Sequence, residues 1–219
     1  MNESQLNTPS SLAQLVERHP QLEPLQEDML SAFNALRTGF ADGKRLFLCG
    51  NGGSAADAEH IVGELMKGYL MSRPVSGEFR EKLVRRHPTD GNYLADHLQG
   101  ALPAVALTGH SSLSSAYAND VAADMGYAQQ LYGYGRPGDM LLAISTSGNS
   151  ANVVNAVKLA QVLDILSIGL TGAEGGLLAN LCTITIRVPE HSTPRIQELH
   201  LPVYHWLCEA LEEQFFGDS

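Results

Sequence analysis

Five short apolar runs punctuate the chain, each ending at or within two residues of glycine, proline or serine: Arg45–Cys49 (RLFLC), Ala104–Thr108 (AVALT), Met140–Ser145 (MLLAIS), Ile165–Leu170 (ILSIGL) and Thr183–Val188 (TITIRV). Their hydrophobicity is continuous rather than alternating, the pattern of strands covered on both faces. Between most of them, apolar positions recur at three- and four-residue spacing and predict helices. Ahead of the first run, residues 11–18 and 21–39 repeat in this way, with Leu22, Leu25, Met29, Phe33 and Leu36 on one face. After it, 54–67 forms a helix whose inward positions are Ala55, Ala58, Ile61, Val62 and Leu65. The pattern closes with a long helix over 194–216, in which Pro202 should impose a kink or mark a late start. Strands alternating with helices imply right-handed crossovers and a parallel sheet. The expectation is one α/β domain of about five strands spanning 1–219, preceded by an N-terminal helical arm over 1–43.

One stretch breaks the rhythm. Residues 71–100 (MSRPVSGEFREKLVRRHPTDGNYLADHLQG) are polar and carry five of the fourteen basic residues. A connection of that length in a compact domain is functional or flexible. Two readings stand: a solvated excursion with a short helix over 79–86, or a lid or partner-binding element.

Composition narrows the function classes. The chain has 219 residues and a formal charge of −10, so a global basic footprint for nucleic acid is absent. No apolar stretch approaches the length of a membrane helix. The opening MNESQLNTPSS lacks the basic and apolar regions of a secretory signal. Cys49, Cys182 and Cys208 are scattered and odd in number, which favours free thiols in a reducing, cytoplasmic setting over a disulfide framework. Charged residues are only 17%, which hints at surface buried in an oligomer.

Two strand ends carry candidate chemistry, because open α/β sheets bind ligands beyond the carboxyl ends of their strands. The first is Gly50-Asn51-Gly52-Gly53-Ser54, opening a helix, where glycines permit close backbone approach and the helix start offers N–H groups. The second is Ser145-Thr146-Ser147-Gly148-Asn149-Ser150, also opening a helix. Its four hydroxyls and helix-start amides make a neutral phosphate cradle. For either loop, ordinary turn and capping chemistry is the competing reading. Neither a P-loop lysine nor a GxGxxG turn is present, which disfavours a nucleotide.

His60 and Glu64 lie at i and i+4 on one helical face, and Gln197, Glu198, His200 and His205 gather on the last helix. Taken alone, the His60–Glu64 pair reads first as a partly exposed hydrogen bond, and the last-helix group as a solvated face or a satisfied core histidine.

The motifs LCGNGGSAADAEH, AISTSGNSANV and TPRIQELHLPVYHWLCE, in that order over almost the whole chain, resemble the sugar isomerase (SIS) domain and, more narrowly, the phosphoheptose isomerase family. The resemblance implies a single SIS domain, doubly wound like flavodoxin. It implies an aldose–ketose isomerase that converts D-sedoheptulose 7-phosphate to D-glycero-D-manno-heptose 7-phosphate through an enediol(ate). Glu64 is then the base and His205 the acid. His60, Glu64, Gln197 and His205 match zinc-binding positions, one ion per site. Asn51, Gly52, Gly53, Asn119 and Asp120 match substrate contacts, alongside Ser54, Ser145, Thr146, Ser147 and Ser150. For Asn119 and Asp120 a helix-end turn is the competing reading. Residues 71–100 depart from the family as an insertion of roughly two dozen residues, and Lys67 or Arg73 stands in for a basic residue after the first helix of the domain. Eight residues of straight helix rise about 12 Å. Gln197 and His205 therefore share one ion only by leaning together, by a late helix start, or from different subunits of the expected homotetramer. The resemblance leaves two further functions open: a non-catalytic SIS protein binding a partner such as the replication initiator, or an isomerase of another sugar phosphate.

Overall fold

The computed structural model describes Pro9 and residues 11–217. Most of MNESQLNTPSS, including the first residues of the expected arm, lies outside the described residues. Strands β1 (Leu46–Cys49), β2 (Ala104–Ala106), β3 (Met140–Ile144), β4 (Leu166–Thr171) and β5 (Ile184–Arg187) form one parallel sheet in the order β2-β1-β3-β4-β5. This is the doubly wound order expected, and the winding reverses between β1 and β3. The crevice beyond the carboxyl ends of those two strands is where the two polar loops emerge.

Side-chain alternation divides the strands between two cores. Leu46, Leu48, Met140, Leu142, Ile168, Leu170 and Ile186 face one side. That side is covered by α1 (Ser11–Arg18), α2 (Gln26–Ala41), α3 (Gly53–Met66) and α10 (Thr193–Phe216). Phe47, Cys49, Leu141 and Ala143 face the other, under α7 (Gly126–Tyr134), α8 (Ala151–Val162) and α9 (Leu178–Leu181). The central strands β1 and β3 are buried at every position, whereas the edge strands β2 and β5 are not. Each fully buried leucine here contributes about 2 kcal/mol of transfer free energy. All three cysteines are free, and no helix among the described residues is long and apolar enough to cross a membrane.

Three local expectations are corrected. The helix expected over 21–39 is a 3₁₀ turn, Pro20–Leu25, followed by α2; Pro20 starts the turn, and Pro24, lacking an N–H, falls inside it. The last helix does not start late: α10 runs from Thr193 through Pro202 to Phe216. The insertion is a helical hairpin rather than a loop with one short helix. It comprises α4 (Gly77–Arg86), which Ser76 caps by accepting from the Phe79 N–H, and α5 (Gly91–His97). Helix α5 went unread because its seven residues are too few to show a periodicity. The hairpin's root is closed by the Gly100 N–H donating to the Arg73 carbonyl at 2.7 Å and by a bridge between Pro74 and Gln99.

Candidate active site

The two strand-end loops are joined across the switch point. Asn51 and Asn152 exchange amide hydrogen bonds at 2.9 and 2.8 Å, tying the loop after β1 to the first turn of α8. The Tyr127 hydroxyl donates to the Gly50 carbonyl beneath them, and burial pushes its pKa up to about 12. Gly52 sits at φ 55°, a left-handed conformation that glycine adopts without penalty. Gly148, at φ 65°, lies so close to the Gly175 carbonyl that no side chain would fit. Neither Gly52 nor Ser150, the N-cap residues of α3 and α8, caps its helix with a side chain, and both helix starts turn positive dipole ends toward the crevice. In the second loop the Ser145 and Ser150 hydroxyls stand 3.1 Å apart, and Ser147 Oγ accepts from the Asn149 N–H. Ser54 and Ser145 are buried; Thr146 is half-buried.

A second cluster forms where α3 packs beside α10. Gly53 meets Gln197 and His60 meets Tyr204 and His205, so matching positions ascend the two helices together. The His60 and His205 rings are 5.1 Å apart and nearly perpendicular. His60 Nε2 lies 3.3 Å from Glu64 Oε1, and Lys67 Nζ lies 3.1 Å from Glu64 Oε2. His205 Nε2 is buried with no hydrogen-bond partner. Burial, and secondarily His60, lowers the His205 pKa against an opposing pull from Glu64, so the ring is neutral near pH 7. A neutral imidazole can both accept and donate a proton, and a carboxylate stands beside it. A pocket of about 240 Å³ lined by Arg18, His19, Tyr69 and Glu198 among others reaches the cluster at His205, while His60 and Glu64 do not line it.

Not every candidate joins the cluster. Gln197 lies against Gly53 at the start of α3, about two helical turns from His205. Asn119 donates to Asp120 at 2.8 Å on the exposed end of α6 (Ser111–Asp120). Of the two basic candidates, Lys67 is the one touching the Glu64 carboxylate. Arg73 is fully buried in a 2.7 Å ion pair with Glu212, and its remaining N–H groups bond the carbonyls of Glu64 and Leu65 at the end of α3.

Four contributors escaped the sequence reading. Asn152 lies near the end of the AISTSGNSANV motif, but nothing singles it out within it. Tyr204 looks like core, and Asp57 stands one turn before His60. The Tyr204 hydroxyl lies 3.1 Å from His60 Nδ1 and 3.3 Å from Asp57 Oδ1. Glu212 accepts from the N–H groups of Tyr69, Leu70 and Met71, fixing the chain just after the acid–base helix. The i−3 spacing from Asp57 to His60 was the one available signal.

Donor chemistry bears on whether a metal suits the site. Among the described residues no three His, Cys, Asp or Glu side chains are gathered into a ready-made metal cluster. The unpartnered imidazole nitrogen of His205, the His60 imidazole and the Glu64 carboxylate nevertheless offer the nitrogen and oxygen donors that suit a catalytic zinc.

Comparison with known proteins agrees with this architecture. Residues 92–172 match the SIS domain model. The phosphoheptose isomerase of Rhodospirillum rubrum is 42% identical over 173 residues, covering 79% of this chain and 78% of that protein. The phosphoheptose isomerase of Aneurinibacillus thermoaerophilus is 38% identical over 180 residues, covering 82% and 78%. The structure of phosphoheptose isomerase from Neisseria gonorrhoeae superposes with a TM-score of 0.72 at 32% identity, over 93% of this chain and 96% of that one. With a switch-point crevice, two glycine- and serine-rich loops and relatives of this identity over most of its length, the chain belongs to the phosphoheptose isomerase family.

Proposed function

We propose that the protein interconverts D-sedoheptulose 7-phosphate and D-glycero-D-manno-heptose 7-phosphate. The observation that carries the reading is the meeting of His60, Glu64 and His205 between α3 and α10, in a chain of this family. Glu64 removes a proton from C1, beside the C2 carbonyl, and returns it to C2. His205 gives a proton to the C2 oxygen and takes one from the C1 oxygen. The enediol between these transfers carries hydroxyls on both carbons. Positioned proton transfer of this kind is worth about 10²–10⁴-fold each. Ser145, Thr146, Ser147 and Ser150, with Asn51, Gly52, Gly53 and Ser54, hold the phosphate and adjoining hydroxyls, so that remote binding orients the reacting end. Asn119 and Asp120 contact substrate in the assembled protein.

His60, Glu64 and His205 would hold a zinc ion, with Gln197 as the fourth ligand. Bound there, zinc supplies Lewis-acid polarisation of the carbonyl. The separation of Gln197 from His205 along an unbroken α10 supports a site completed across a homotetramer interface. The unpaired thiols support a cytoplasmic location.

Turnover of a panel of ketose phosphates, with and without zinc and chelator, tests the proposal. Sedoheptulose 7-phosphate should be the preferred substrate. Glu64→Gln should lose about 10²–10⁴-fold in kcat with the fold intact. Full activity in that variant would defeat the mechanism. Preference for another sugar phosphate would redirect the specificity, a reading favoured by the α4–α5 hairpin that follows Glu64 and Lys67 in the chain.

A further inference from the structure

Two groups outside the reacting trio, Asp57 and Tyr204, are linked in a line to His60. Asp57 Oδ1 lies 3.3 Å from the Tyr204 hydroxyl, which lies 3.1 Å from His60 Nδ1. Tyr204 is buried, and Asp57 Oδ2 is a buried atom with no partner. The far nitrogen of the same ring, Nε2, faces Glu64 Oε1 at 3.3 Å.

Counting protons gives this line a direction. An ionised carboxylate only accepts, so the single Tyr204 hydrogen goes to Asp57. The Tyr204 oxygen must then accept from His60, which places the proton of the neutral ring on Nδ1. The Nε2 lone pair is left facing a carboxylate oxygen: two acceptors with no hydrogen between them. Such a gap costs free energy unless a cation or a donated proton fills it.

We infer that Asp57 and Tyr204 are positioning residues that fix His60 as the Nδ1–H tautomer, so that its Nε2 lone pair and Glu64 together face a zinc ion or a substrate hydroxyl. This deepens the isomerase reading and rests on it for the identity of what sits between His60 and Glu64. Partners of this kind orient a ligating histidine and typically account for about 10–100-fold in metal affinity. The line needs no residue beyond those on α3 and α10, so it is present before any subunit contact forms.

The test uses ¹⁵N-histidine NMR of the full-length protein stripped by chelator, at alkaline pH, followed by titration with zinc alone against a chromophoric chelator. In the unsubstituted protein the His60 ring should carry its proton on Nδ1. Tyr204→Phe removes only the hydroxyl and should abolish that preference. Asp57→Asn, whose amide donates as well as accepts, should relax it to a mixture. Both variants should bind zinc about 10–100-fold more weakly. They should lose kcat with KM for the sugar phosphate little changed. An Nε2–H tautomer in the unsubstituted protein, or the same tautomer in both variants, overturns the inference. So does a changed tautomer with unchanged zinc affinity and kcat. If Glu64→Gln keeps full turnover, the isomerase mechanism falls while the tautomer result still stands or fails on its own.

Discussion

The loops at the sheet tips and the packed pair α3–α10 both contribute to the candidate site, but they are built on opposite principles. The tips are local. Glycines, hydroxyls and two helix starts lie within a few residues of β1 and β3, and one reciprocal amide pair, Asn51–Asn152, joins them. The α3–α10 pair is non-local. His60 and Glu64 meet His205 only because two helices more than a hundred residues apart lie alongside each other. Further along, this pair is braced by charge buried in the core, where Arg73 and Glu212 are both about 1% exposed. Substitutions at the tips should therefore weaken ligand binding, whereas substitutions in the helix pair should unfold the protein or stop its chemistry.

The largest effect is expected at the brace. Glu212→Ala strands a buried guanidinium and frees three backbone N–H groups, and should cost about 3–5 kcal/mol in urea unfolding. The double variant Arg73→Met/Glu212→Leu should recover much of that loss, because it leaves no lone buried charge. Equal instability of the single and double variants would contradict the charge argument.

Acid should act on the same helix. Burial lowers the His200 pKa to about 4, against a weaker pull from the Thr171 backbone, so the unfolded chain binds its proton first. The stability this neutral ring contributes is complete above about pH 6.5 and is lost as pH falls toward 4, a drop of about 3 kcal/mol. Glu212 adds to the loss at lower pH. Burial alone would raise its pKa, but the Tyr69 and Leu70 N–H groups and Arg73 hold it below the ordinary carboxylate range. His200→Gln should flatten the upper part of the profile in a pH series of melting curves. An unchanged slope would remove His200 from the account.

The smallest effect belongs to the tips. Asn152→Ala should cost only about 1 kcal/mol of stability while raising KM several-fold, because it unpins Asn51 without disturbing either core. A double-mutant cycle with Asn51→Ala should show the two losses to be strongly non-additive. Additive losses would mean that the amide pair does not couple the loops.

These differences follow what could be read along the chain. Continuous apolar runs revealed five buried strands because each run is complete within a few residues. The loops at 50–54 and 145–150 were legible for the same reason. Helix α5 was too short to announce itself, Pro202 suggested an interruption that the packing of α10 overrides, and the prolines at 20 and 24 converted the start of a predicted helix into a 3₁₀ turn. Asp57 and Tyr204 lie inside recognised motifs and Glu212 outside them, but none announced its role, since what they do depends on residues some 140 positions away.

The sequence by itself determined the parallel α/β architecture, the two glycine- and serine-rich tips and the residue types available for proton transfer, because periodicity and turn chemistry are local properties. Only the tertiary structure decided that His60 and Glu64 meet His205 while Gln197 sits two turns away, that Lys67 rather than Arg73 touches the Glu64 carboxylate, and that the insertion folds as a hairpin on a buried ion pair. Those outcomes depend on how helices distant in sequence align when their apolar faces are buried, and no short window of the chain encodes that alignment.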